Sequence, residues 1–129
     1  MFLHVDPSNG LAIYEQIARQ IKFAVAQGAL KPGQLIPSVR EVASDLAINP
    51  NTVARAYQQL QNDGVLISVR GLGLEVNEGA LARCRQERKK LLQSQLRQVF
   101  KEARQSGLES AELRQLVDQE LEAAWRKGN

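Results

Sequence analysis

Between Ser38 and Arg55 the chain collects side chains that could act on a partner: Ser38, Arg40, Asn49, Asn51, Thr52 and Arg55. None of them is a nucleophile beside a base, and together they form no metal-ligand set. They are hydroxyl, amide and guanidinium groups, the chemistry that hydrogen-bonds phosphate oxygens and base edges. Their placement follows from the apolar residues between them. Val39, Val42, Ala43 and Leu46 fall at i, i+3, i+4 and i+7, and Ser38 with Glu41 three residues on supplies a capping box for that helix. Asn49 is a good N-cap and Pro50 suits a first helical position, after which Val53, Ala56, Tyr57 and Leu60 repeat the spacing. Asn51, Thr52 and Arg55 are thereby turned outward. Two short helices joined by a tight turn, the second opening with hydrogen-bonding groups, is the layout of a helix-turn-helix.

Flanking segments must hold this pair. Met1 to Gly10 reads as extended, with Asp6-Pro7-Ser8-Asn9-Gly10 supplying turn chemistry. From Leu11 to Gln27, Ile13, Ile17, Ile21, Ala24 and Val25, flanked by Tyr14 and Ala18, predict an amphipathic helix that Gly28 ends. Lys31-Pro32-Gly33 is a turn, and Gln34-Leu35-Ile36 can be a short extended piece. Beyond the helix pair, Gly64 is a natural C-cap; Val65–Val69 and Leu72–Val76 are β-prone, with Gly71 and Gly73 marking the turn between them. Three helices and a hairpin make a winged helix-turn-helix over residues 1–77. Arg70 at the hairpin tip could then reach a phosphate or the minor groove.

Three runs, taken in order, also resemble a known family. They are G-A-L-K-P-G-Q-L-I-P-S-V-R-E-V-A, N-P-N-T-V-A-R-A-Y-Q-Q-L and D-G-V-L-I-S-V-R-G-L-G-L-E-V. Residues 11–76 are similar to the DNA-binding domain of GntR-family transcriptional regulators. The resemblance implies that Arg40, Asn49, Asn51, Thr52 and Gly71 stand at positions the family uses against DNA, with Arg55 pointing the same way. Leu72 and Leu74 depart from the lysine and threonine common in the family's wing, and Ala12 and Ile13 replace a proline usual before the tyrosine of the first helix.

Residues 78–129 read as a helical hairpin, with helices over Glu78–Gln105 and about Ser110–Arg126 separated by Ser106-Gly107. Leu81, Arg88, Leu92, Gln95, Val99 and Ala103, widened by Leu91, Leu96 and Phe100, lie near one face of the first; Leu113, Leu116, Val117, Leu121, Ala124 and Trp125 stripe the second. These stripes exceed what the first domain can cover, so pairing with a second copy is expected. The resemblance narrows to the short, YtrA-like branch, whose C-terminal helices dimerise and whose members often repress transporter operons. Arg83, Lys90, Arg97 and Arg104 recur every seven residues as a solvated basic face, or as a flank that attracts DNA.

Composition bounds the function. The net charge of +3 is uneven: residues 1–77 hold six basic and six acidic side chains, residues 78–106 eight and three. A single neutral reading domain gains little from phosphate attraction alone, which again favours a dimer. Cys84 and His4 are the only cysteine and histidine, so an intrachain disulfide and a cysteine-cluster metal site are excluded and histidine catalysis has almost nothing to build on. Cys84 is expected as a small hydrophobe rather than a redox sensor. No run approaches the roughly eighteen apolar residues of a membrane span, and no secretory signal is visible, so the expected location is the cytoplasm. Roughly fifty residues after the wing are too few to enclose a metabolite pocket of roughly several hundred Å³. The expectation is a non-enzymatic protein, mainly α with a small β-hairpin. It needs no cofactor and works as a homodimeric repressor on a pseudo-palindromic DNA operator. The alternative is an architectural or partner-binding protein with non-specific DNA affinity.

Overall fold

The first helix ends where glycine permits it: the backbone turns left-handed at Gly28 (φ 83°), and the N–H of Gly28 donates to Val25 O at 3.0 Å. The computed structural model describes residues 2–126. Its elements are a short 3-10 turn (Pro7–Asn9), α1 (Ile13–Gln27), α2 (Val39–Leu46), α3 (Pro50–Asn62), β1 (Leu66–Val69), β2 (Gly73–Val76), α4 (Ala80–Gln105) and α5 (Ser110–Ala124). This is the winged helix-turn-helix with a C-terminal pair of helices. Two compact units divide between Lys89 and Lys90, inside α4.

The first unit is built around the predicted apolar stripes. Ile17, Ile21 and Val25 of α1, Val42 and Ala43 of α2, and Val53, Ala56, Tyr57 and Leu60 of α3 are buried together with Val65, Leu66 and Val76 of the wing. Each large aliphatic side chain so buried contributes about 1.5–3 kcal/mol. The wing strands pair antiparallel, Leu66 opposite Val76 and Val69 opposite Gly73. The extended piece before α2 joins them on the other edge of β2. Val76 N–H donates to Gln34 O and Ile36 N–H to Leu74 O, both at 3.0 Å, around a Leu35–Glu75 bridge.

Two glutamines of α1 secure the N-terminal arm. Gln16, buried though polar, accepts from Asp6 N–H at 2.9 Å and donates to Asp6 O and Leu11 O, both at 2.8 Å. Every polar atom of its amide that could be left unpaired in the core is thus satisfied. Gln20 brackets the backbone of His4 in the same way, accepting at 3.0 Å and donating at 2.6 Å. Leu11 therefore spends its carbonyl on Gln16, and α1 begins at Ile13 rather than at Leu11.

The first turns of α4 belong to this unit. Ala80 and Cys84 are fully buried, as the small-hydrophobe reading of Cys84 expects, and burial pushes its thiol up to about 11. Arg83 and Arg85 donate to carbonyls left over where helices end, Asp63 O after α3 and Ala26 O in the last turn of α1. Arg83 is therefore not part of a free basic face. Lys22 of α1 sits 2.8 Å from both Asp63 Oδ2 and Glu87 Oε2. Desolvation, the largest single influence on Lys22, works against its charge, but the hydrogen bonds and charges of the two carboxylates prevail and hold its pKa above the ordinary lysine value.

In the second unit α4 ends at a left-handed Gly107 (φ 89°), with Leu108 N–H donating to Ala103 O at 3.1 Å, and α5 follows. From Lys90 to Arg126 no side chain is buried. Leu92, Leu96, Val99, Phe100, Leu116, Leu121 and Trp125 are exposed.

Candidate nucleic-acid interface

The candidate residues lie at helix starts and at one hairpin tip, and local chemistry explains each position. Ser38 caps α2: its Oγ accepts from Glu41 N–H at 3.1 Å while its own N–H donates to Glu41 Oε1 at 3.3 Å. The serine hydroxyl proton remains available to an outside acceptor. Arg40 follows on the exposed face of the first turn. Between α2 and α3 the chain reverses at Ala47, whose φ of 54° puts a non-glycine residue in the left-handed region. Such a residue costs roughly 1–2 kcal/mol, so the surrounding turn must impose it. Asn49 then caps α3, its Oδ1 accepting from Asn51 N–H at 2.8 Å, which leaves its side-chain NH₂ free to donate.

On α3, Val53, Ala56, Tyr57 and Leu60 face the core. Helical spacing puts Asn51, Arg55, Gln58 and Asn62 along the opposite line, and all four are exposed. Gln58 donates to Asn62 Oδ1 at 3.1 Å. Gln58 is absent from the residues the sequence singles out, although its place three residues beyond Arg55 on the same face was a usable signal. Thr52, half-exposed, stands beside this line, and its N–H is used by Asn49 O. The Arg55 guanidinium lies over the ring of Tyr14, 3.8 Å from its centroid.

Tertiary contacts bring the starts of α2 and α3 and the wing together. Tyr57 Oη donates to Pro37 O at 2.7 Å, tying the middle of α3 to the residue that leads into α2. Burial, and then the charge of Glu41, raises the Tyr57 pKa, so the phenol stays a donor. One shallow cleft is lined by Ser38, Val39, Arg40 and Pro50. A neighbouring cleft is shared by Ser38, Glu41 and Tyr57 with Leu72 and Gly73 of the wing. At the wing tip Leu72 N–H closes a turn onto Val69 O at 2.9 Å, with exposed Arg70 and Gly71 at its centre. Gly71 has φ 80°, which accounts for glycine there without any ligand, and a side chain added at that point would meet open space. Arg40, Arg55 and Arg70 have no carboxylate within ion-pair distance among the described residues. Their charge is therefore uncompensated on this surface, the condition for attracting phosphates. Among the same residues no group of histidine, cysteine or carboxylate side chains could hold a metal ion, and no helix is long and apolar enough to cross a membrane.

Comparison with known proteins bears on the family and the fold. The profile described as bacterial regulatory proteins, gntR family, matches residues 13–76. Over 115 residues the chain is 35% identical to the HTH-type transcriptional repressor YtrA of Bacillus subtilis (strain 168), covering 89% of this chain and 88% of that protein. The crystal structure of a transcriptional regulator from Oenococcus oeni is similar over 91% of this chain and 97% of its own, with a TM-score of 0.75 and 31% identity. AraR(DBD), solved in complex with operator ORX1, is similar over 58% of this chain and 95% of its own, with a TM-score of 0.53 and 26% identity.

Proposed function

The chain belongs to the gntR family of bacterial regulatory proteins, DNA-binding transcriptional regulators rather than enzymes, and from that premise we propose that it is a homodimeric repressor of a pseudo-palindromic operator. The observation that carries this reading is the exposed line of Asn51, Arg55 and Gln58 on α3, opposite the core face and beside the capped start of α2. In this reading residues 1–77 read DNA and residues 78–129 dimerise. The Asn51 and Gln58 amides meet base edges in the major groove, where an amide can pair with adenine at two points. Arg40 and Arg55 contact guanine or phosphate. The Ser38 hydroxyl, Asn49 NH₂ and Thr52 hydroxyl meet phosphates at helix starts, where the helix dipole favours anions. Arg70 and Gly71 approach the adjacent minor groove, glycine letting the backbone come close.

Two features support the dimer. Residues 1–77 hold equal numbers of acidic and basic side chains, so the reading domain of one copy gains little from phosphate attraction alone, and α4 and α5 expose Leu92, Leu96, Val99, Phe100, Leu116 and Leu121. Large apolar side chains left exposed along amphipathic helices commonly mark an interface. Repression is carried over from the name of the Bacillus subtilis relative, and a DNA partner puts the protein's work in the cytoplasm. Footprinting of the purified full chain on genomic DNA tests the reading. Paired, symmetric protections about one helical turn apart are expected, with a preference over random DNA of about a thousandfold or more. Scattered asymmetric protection that random DNA abolishes would instead favour non-specific, architectural binding.

A further inference from the structure

We propose that Tyr14 of α1 is a positioning residue for DNA recognition: its ring holds the Arg55 guanidinium in place before DNA arrives. The inference rests on the reading that Arg55 contacts DNA. Arg55 Cζ lies 3.8 Å from the centroid of the Tyr14 ring, a distance at which the guanidinium and the π face attract. The two partners differ in freedom. Tyr14 is half-buried and packs against the core that α1 and α3 share through Ile17, Ile21, Ala56 and Leu60, so its ring is held by the fold. Arg55 is exposed, and among the described residues no acceptor or carboxylate engages it.

A stacked guanidinium uses its flat face and keeps its N–H donors at the edge, where a base edge or phosphate would be met. An exposed arginine gives up rotamer entropy when it is fixed in a complex. Stacking on a ring already fixed by packing takes part of that cost at folding, so the loss at binding is smaller. Tyr14 thereby tunes recognition from a helix that carries none of the other candidate residues.

The test uses the full-length protein and a duplex carrying the footprinted site, at fixed salt. Arg55→Ala should lower affinity about tenfold or more, and Tyr14→Leu about threefold to tenfold. Tyr14→Phe keeps the ring and should stay within about twofold of the parent. In an Arg55→Ala background Tyr14→Leu should cost nothing further, because the ring then has nothing to hold. NMR of the DNA-free protein supplies a readout independent of binding: Arg55 side-chain protons shifted upfield by the ring, in the parent and in Tyr14→Phe but not in Tyr14→Leu. Equal loss in Tyr14→Phe and Tyr14→Leu would overturn the proposal in favour of a direct contact by the hydroxyl. Tighter binding by Tyr14→Leu, or a full loss persisting without Arg55, would also overturn it. If Arg55→Ala binds normally, the DNA role of Arg55 fails first, a result that does not depend on any Tyr14 variant.

Discussion

The helices before Lys89 and those after it carry similar apolar periodicity, yet among the described residues every buried apolar side chain lies between Leu3 and Cys84. α1, α2 and α3 cover one another's stripes, and α4 contributes Ala80 and Cys84 to the same core. From Lys90 onward comparable stripes leave Leu96, Val99 and Leu121 about half exposed. An amphipathic pattern states that a helix needs a cover; it does not say which molecule supplies it. In the first unit the cover is intramolecular, and in the second we assign it to another copy.

The largest effects should separate the two units. Leu60→Ala empties a fully buried site and should lower stability by about 2–5 kcal/mol in urea denaturation, independently of protein concentration. Leu96→Ala should have little effect on a dilute chain but weaken association in sedimentation equilibrium. A concentration-independent loss as large as that of Leu60→Ala would break the comparison.

The next prediction concerns the junction. Lys22→Met strands two carboxylates, Asp63 after α3 and Glu87 on α4, and should cost about 1 kcal/mol, the value being modest because these groups are partly solvated. Equal melting temperatures for variant and parent would show that Arg83 and Arg85 hold α4 without it.

Alkaline pH should act on the first unit specifically. The Cys84 thiol is raised from 9.0 to about 11 by burial first and then by the charge of Glu87. Between those values the folded chain keeps a proton that the unfolded chain releases, so this stability is complete below pH 9 and is lost as pH rises towards 11. The loss from Cys84 should reach about 1 kcal/mol by pH 10, and Cys84→Ala should remove that part of the decline. The raised pKa values of Tyr57 and Lys22 act in the same direction, beginning near 10.0 and 10.5. Denaturation curves at pH 8 and pH 10 provide the check.

The smallest expected change is a gain. Ala47→Gly relieves a left-handed alanine between α2 and α3 but adds chain entropy to the unfolded state, so the net gain should be about 0.5–1 kcal/mol. A loss in thermal melting would mean that the Ala47 methyl group stabilises the turn by more than its conformation costs.

Much of the fold was legible because its signals are local. Ser38 with Glu41, Asn49 with the Asn51 N–H, and glycines 28 and 107 set helix ends through hydrogen bonds spanning a few residues, and Pro50 suits the first position of α3. The apolar spacing likewise marked the core faces of α1, α2 and α3. The candidate site was legible as a set of residue types on an outward face, with Gln58 overlooked because no cap or motif drew attention to it. The wing carried its signal in Gly71 and Gly73, and Gln34–Ile36 was legible as an extended piece, but nothing local in the sequence announced that it pairs with β2.

By itself, then, the sequence determined which segments form the helices and the hairpin, to within about two residues at their ends, and which face of each must be hidden, since these follow from neighbours three or four residues apart. Tertiary structure alone decided that Gln16 and Gln20 hold the N-terminal arm, that Arg83 and Arg85 complete the ends of α3 and α1, and that Tyr14 lies under Arg55. Those partners are between 10 and 59 residues apart in the hydrogen-bonded cases. No periodicity connects positions so distant; they meet only because burial of the apolar faces brings their helices together.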